Sequence, residues 1–239
     1  ASDRSYWAFQ PIHREGRPGE STRPEIGSIE RTPVDRFIAT KLDEHQLAFA
    51  PAAAPATLMR RVSFDLTGLP PSRDELLDFE TNVAPDAYER VLDQLLASPG
   101  YGEKWARHWL DLVRYADSDG YKQDDFRPHA WRYRDYTAEA FNRDKSYRDF
   151  IREQLAGDLL PGSGMEQKVG SAFNRLTLTT EEGGAQPKDY EARYLTDRVR
   201  AVGAVWLGQT IGCAQCHDHK FDPVTTRDFY SLGAFFADI

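Results

Sequence analysis

The chain has two cysteines, and both stand in Cys213-Ala214-Gln215-Cys216-His217. C-x-x-C-H is the spacing at which a c-type haem is attached to protein. Two thiols three positions apart can both reach the vinyl groups of one porphyrin, and the adjacent histidine can give a ring nitrogen to the iron. Haem c held by Cys213 and Cys216, with His217 as proximal ligand, is the leading expectation. Two other chemistries use the same residues. A C-x-x-C pair is also a redox disulfide motif. Cys213, Cys216, His217 and His219 are four side chains of zinc-ligand type. Zinc is the weaker fit, because adjacent Cys216 and His217 plus His219 crowd one tetrahedral ion, whereas structural zinc sites join two separated pairs.

Haem also asks for a second axial ligand or an open position. No methionine follows His217. His219 is two residues away, and a chain spanning at most ~3.6 Å per residue cannot carry it around a porphyrin. A protein ligand must therefore come from upstream, from His13, His45, His108, His129, Met59 or Met165. His108 leads as distal candidate. It falls on a predicted aromatic helix face with Trp105, Trp109, Leu112 and Tyr115, and Asp111 at i+3 is placed to orient its second ring nitrogen. The plainer reading of such a histidine is a core residue. Met59 reads as packing, Met165 as a loop residue, His129 as a helix-start residue, and His13 and His45 as surface groups.

Two acidic groups could carry other chemistry. Asp111, Asp117, Asp119, Asp124 and Asp125 gather around the end of the Trp-rich helix, and Glu181-Glu182-Gly183-Gly184 puts carboxylates in a turn. Paired carboxylates act as general acid and base or bind calcium. Solvated helix ends are the plainer reading, and Asp117-Ser118-Asp119-Gly120 does not continue into an EF-hand loop.

The elements that must position these residues read as helices. Residues 1–31 form an irregular Pro, Gly, Arg and Glu-rich arm, with Trp7, Phe9 and Ile12 as its expected anchors. Thr32-Pro33-Val34-Asp35 opens the first helix with a capping hydroxyl, a proline at the first helical position and an acid in the first turn. Val34, Phe37, Ile38, Lys41 and Leu42 continue it as a stripe. A second helix is expected over 56–66, and Ser72-Arg73-Asp74-Glu75 is a capping box opening a third. Others are expected over 86–97, 101–116, 129–142, 146–156, 189–207 and 225–236. Stretches 161–165 and 181–187 read as Gly/Pro-rich loops, and 176–179 shows the one strand-like alternation. Arg-Asp-Tyr/Phe recurs at 134–136, 148–150 and 227–229 as capping chemistry. The prediction is a mainly α, single helical domain over 32–239 with the arm packed on it, unlike an ordinary small cytochrome c.

Composition bounds the partners. Thirty-eight acidic residues against 30 basic give a net charge of −8, which argues against nucleic acid or an anionic membrane as main partner. No apolar run approaches the ~18–20 residues of a membrane span. One cysteine pair excludes a disulfide-stapled scaffold, so packing must hold the fold.

Longer motifs then come together. Trp7-Ala8-Phe9-Gln10-Pro11, Phe64 through Pro71, His108-Trp109-Leu110-Asp111, Arg114 through Tyr121, Ala130 through Tyr136 and Cys213 through Pro223 follow one pattern. It resembles the cytochrome-associated domain of unknown function in large secreted planctomycete proteins. The resemblance implies a domain of an exported, periplasmic or cell-surface multidomain protein, with haem c and a redox setting. Its partners would be a redox protein or adjacent domains of the same polypeptide. That family tends to have Asn-Glu-Gly-Gly where this chain has Glu181-Glu182-Gly183-Gly184, and Arg in place of Gln215; neither change touches a thioether or proximal-ligand position. Electron transfer is the expected function. The alternatives are a haem-dependent oxidase or peroxidase, a polysaccharide-active module, and a non-haem metal-binding scaffold.

Overall fold

The structure is a computed structural model that describes residues 5–11, 32–179, 184 and 186–237. These fall into two compact units, residues 3–54 and 55–239. In the smaller unit, a 3-10 turn spans Trp7–Phe9 and helix α1 spans Pro33–Glu44. The Thr32 N–H donates to Asp35 Oδ2 at 2.7 Å, so the first-turn acid caps the helix start. Trp7, one of the expected anchors, is 77% exposed, and its ring lies 5.7 Å from Tyr6. Ile12 and His13 lie outside the described residues, as do Glu181, Glu182 and Gly183.

The α-helices of the larger unit are α2 (Pro55–Thr67), α3 (Arg73–Thr81), α4 (Ala87–Leu96), α5 (Pro99–Leu112), α6 (Trp131–Asn142), α7 (Tyr147–Ala156), α8 (Met165–Gly170), α9 (Pro187–Trp206) and α10 (Thr226–Gly233). Side-chain caps fix several starts. Ser72, Ser146 and Thr225 hydroxyls accept from the N–H of Glu75, Asp149 and Asp228. Two of the three Arg-Asp-aromatic strings are thus capping sites; the third lies inside α6, where Arg134 pairs with Asp135. The strand-like 176–179 forms no strand, because its backbone is used elsewhere: the Thr179 N–H donates to the Asp119 carbonyl at 3.1 Å. Met165 is the first residue of α8, not part of a loop.

The core is built on α5, α6, α7 and α9. Val113, Tyr133, Phe150, Phe173, Val199 and Phe229 are among its buried members, with Trp109 and Trp206 packed against it. Trp109 sits at ring distances of 4.9 Å from Phe150 and 5.0 Å from Trp206, in the tilted or edge arrangements that aromatic quadrupoles favour. Its indole N–H donates to Tyr133 Oη at 3.1 Å, and Tyr133 in turn donates to Gln154 Oε1 at 2.6 Å.

The interface of α5 with α6 corrects the predicted aromatic face. Gly102 and Ala106 are buried there in line with Trp109 and Val113, at helical spacings of four, three and four. A Cβ on Gly102 would stand 2.3 Å from the Ala138 carbonyl oxygen, so the helices approach to backbone contact. Small residues line the close approach, and Trp105 and His108 are turned outward.

Candidate functional site

Ile211–Gln215 is a 3-10 turn, with Cys216 as its C-terminal cap. In 3-10 geometry, residues three apart stack on one side. Ile211 and Ala214 take the inner side, at 3% and 0% exposure. Cys213 and Cys216 take the outer side as exposed free thiols. The spacing that suits two thioether bonds is thus the spacing that puts both sulfurs outward. Gly203 of α9 allows the insertion, since a Cβ there would meet Ile211 at 2.6 Å.

Two helices hold this turn. From α9, Thr196 Oγ1 accepts from Gln215 Nε2 at 3.1 Å, and Arg200 donates to Gln215 Oε1 at 3.0 Å. From α10, Tyr230 Oη donates to the Gln215 carbonyl at 3.2 Å. Asp218 Oδ1 accepts the Thr226 N–H at 2.8 Å, satisfying an orphan donor of the first helical turn. Arg200, Thr196, Asp218 and Tyr230 did not stand out in the sequence. Only the Thr225 capping signal pointed to the element that Asp218 grips.

The histidines divide by tautomer. His217 Nδ1 lies 2.9 Å from the Asp218 carbonyl oxygen. A carbonyl only accepts, so Nδ1 is the donor, and in the neutral ring Nε2 is then the nitrogen with a lone pair to offer a metal. His219 is reversed. Its Nδ1 accepts from the N–H of Asp222 at 2.8 Å and of Phe221 at 3.3 Å, so Nε2 carries the proton. His219 is a turn-holder. As placed, no three His, Cys, Asp or Glu side chains among the described residues group as a metal site.

A largely apolar groove of about 460 Å³ opens beside the turn, lined by Ala204, Thr210, Ile211, Gly212, Cys213 and Arg200. Two outward thiols, an available imidazole nitrogen and an apolar wall fit haem c, which needs one protein nitrogen on its proximal side.

The other predicted residues are elsewhere. His108 is exposed on α5 with its ring 5.7 Å from Trp105. Among the described residues, no hydrogen bond or ring contact joins it to segment 213–219, and none joins it to Asp111. Met59 is buried in α2, as packing. His45 caps the C-terminus of α1, and His129 precedes α6. Three of the five aspartates, Asp117, Asp119 and Asp124, are engaged internally. Asp119 pairs with Arg127 and accepts from Thr179 Oγ1 at 2.7 Å; those two partners hold its carboxyl below its ordinary range. Asp124 accepts the Gly120 N–H at 2.8 Å, and Asp117 accepts from Tyr115 Oη at 2.6 Å. Burial, then Asp117, pushes the Tyr115 phenol far up, so it stays a neutral donor. The cluster latches loop 117–127.

Residues 33–239 match the family model PSCyt2, a protein family of unknown function (DUF1549). The chain belongs to that family. No curated protein and no solved structure matches it. In this DUF1549 chain, no helix among the described residues is long and apolar enough to cross a membrane.

Proposed function

We propose that this DUF1549 chain is an exported c-type cytochrome domain. Cys213 and Cys216 hold one covalent haem c, and His217 is its proximal ligand. The domain passes electrons to or from a redox protein or a neighbouring domain of the same polypeptide. One observation carries the reading: His217 Nδ1 is tied to the Asp218 carbonyl, which leaves Nε2 free beside two outward thiols. The likeness of the long motifs to cytochrome-associated planctomycete proteins supports it and supplies the exported, periplasmic or cell-surface setting.

Bound haem supplies one-electron redox chemistry at iron. This chain's residues do the remaining work. Asp218 fixes the His217 ring through its carbonyl and anchors the segment to α10 through its carboxylate. Ile211 and Ala214 root the turn in the core, and the Arg200–Gln215–Thr196 bonds fix the cysteine spacing against α9. Ala204 and Thr210 line the groove beside the turn. His108 stays the candidate for the sixth coordination position, with no hydrogen bond or ring contact between it and segment 213–219 among the described residues.

The test is production in a host with cytochrome c maturation machinery, followed by intact mass and oxidised and reduced visible spectra. The expected result is a covalent haem adduct with a sharp reduced α band. A colourless protein of apo mass sinks the reading. Carbon monoxide or cyanide binding to the adduct separates a haem-dependent oxidase or peroxidase, which binds them readily, from a coordinatively closed electron carrier.

A further inference from the structure

Four cationic side chains line one cleft of the 55–239 unit: Arg127, Arg132, Lys168 and Arg175. In a chain of net charge −8 that is a local reversal of sign. The one acid in the lining, Asp119, is taken up by Arg127, which also donates to the Thr177 carbonyl and to Thr179 Oγ1. Arg132 rests over the Trp131 ring at 5.6 Å. Among the described residues, no carboxylate pairs with Arg132, Lys168 or Arg175. The excess is felt nearby: burial first, then Arg175, lowers the Arg198 guanidinium below its ordinary range.

The floor of the cleft is apolar. Leu176 and the Tyr133 ring are buried at its base, Val169 and Ala172 are half-buried beside them, and Phe126 stands 69% exposed at the rim. The Tyr133 hydroxyl is already turned to Gln154, so the ring offers only its carbon surface. The cavity volume is about 440 Å³, within the size range of small-molecule sites. An apolar floor with a few convergent charges of one sign is the pattern that orients a ligand by its acid group and holds it by its body. Arginine guanidinium adds the planar fork that matches an oxyanion.

We propose that this cleft binds a small organic anion with an aromatic body and one carboxylate- or sulfonate-type acid group. The body lies on Leu176, Val169 and Phe126, and the acid group meets Arg132, Lys168 and Arg175. None of these residues belongs to the 211–230 segment, so the proposal stands apart from the haem reading.

Calorimetric titration of the full chain with naphthalene-2-sulfonate tests it, beside neutral naphthalene-2-sulfonamide and inorganic sulfate. One saturable site is expected for the sulfonate, with the sulfonamide at least tenfold weaker and sulfate unable to displace the sulfonate at equal concentration. The R132Q/K168Q/R175Q variant should bind at least tenfold more weakly while keeping its far-ultraviolet circular dichroism and melting temperature, because all three side chains are exposed. Phe126→Ala should weaken binding several-fold without altering the charge. C213A/C216A should leave binding unchanged. The proposal is overturned by absence of a saturable site, by equal binding of the sulfonamide, or by unchanged affinity in the triple variant. Binding of inorganic sulfate as tight as that of naphthalene-2-sulfonate would reduce the cleft to a plain anion patch and overturn it too.

Discussion

At the scale of single residues, the segment Cys213–Asp222 contains two histidines two positions apart with opposite tautomers, and their variants should behave differently. His217→Ala removes a nitrogen that no other side chain replaces. The thioether-linked mass should persist while the visible spectrum loses its native form; an unchanged spectrum would remove His217 as proximal ligand. His219→Ala instead strands the Phe221 and Asp222 N–H groups in a region where the His219 side chain is 8% exposed. The Asp222 N–H is the part-buried one of the two, and leaving it unpaired costs about 1 kcal/mol. His219→Asn offers an acceptor in nearly the same place, so it should recover part of that loss in urea unfolding. Loss of the haem spectrum in both alanine variants, with no recovery by asparagine, would mean that His219 acts at the metal after all. Asp119 provides a pH test of the neighbouring loop. Its folded carboxyl lies below its ordinary range, held there mainly by Arg127. The stability it adds is therefore complete above the unfolded carboxylate range and is lost as pH falls through the folded value. Asp119→Asn should destabilise the protein at pH 7, by no more than about 1 kcal/mol because the pair is partly solvated. The gap to the parent chain should close in acid; a gap that widens there would show that the carboxylate is not the stabilising form.

Among the elements, the helices were legible because their signals are local. Thr32-Pro33, Ser72 to Glu75, Ser146 to Asp149 and Thr225 to Asp228 each state a helix start within four residues, and each start lies where that chemistry puts it. The orientation of α5 was not legible. Its large side chains suggested a core face, but which side is buried depends on how closely α6 approaches, and that is set by a glycine whose lack of a side chain leaves no mark in the apolar pattern. The cysteine pair was legible as chemistry, whereas its anchors on α9 and α10 are tertiary and carry no spacing rule. Gly102→Ala tests the close approach with an inverted sign. On helix propensity alone, alanine should stabilise by about 1 kcal/mol. The backbone oxygen of Ala138 stands in the way of the new methyl, so destabilisation of about 1–3 kcal/mol is expected, read as a lower urea midpoint at constant m-value. A second node ties α6, α7 and α8. Lys145 reaches Glu153 and, at 2.7 Å, Glu166; Tyr136 Oη donates to Glu153 Oε2 at 2.9 Å, and Gln167 Nε2 donates to Glu153 Oε1 at 3.1 Å. Glu153 is 7% exposed, and its removal leaves the half-buried Lys145 ammonium short of its main partner. Lys145→Met alone and Glu153→Gln alone should each cost about 3–5 kcal/mol, and the double variant less than their sum. Additive losses would show that the pair is not coupled.

For the whole molecule, the decisive fact is where the apolar core lies. Its buried members run from Val113 to Phe236, and the unit that contains them spans residues 55–239. The helices that carry the cysteine turn, α9 and α10, belong to the same unit, and so does each hydrogen bond that holds Gln215 and Asp218. About 185 residues is ample for an independent core, since burial already exceeds two thirds of the unfolded surface at ~150 residues. A chain beginning at Pro55 should therefore unfold cooperatively, with near-ultraviolet aromatic signals from the Trp109, Phe150 and Trp206 cluster retained. Its urea m-value should fall below that of the full chain, because less surface is exposed on unfolding. In a cytochrome c-maturing host it should carry the same haem adduct, and it should keep the naphthalene sulfonate site, whose lining runs from Asp119 to Leu176. A fragment with helical far-ultraviolet signal but no near-ultraviolet signal would be a collapsed state without fixed packing. That outcome would place part of the core's stability in residues 1–54, and the two-unit division would then describe geometry but not folding.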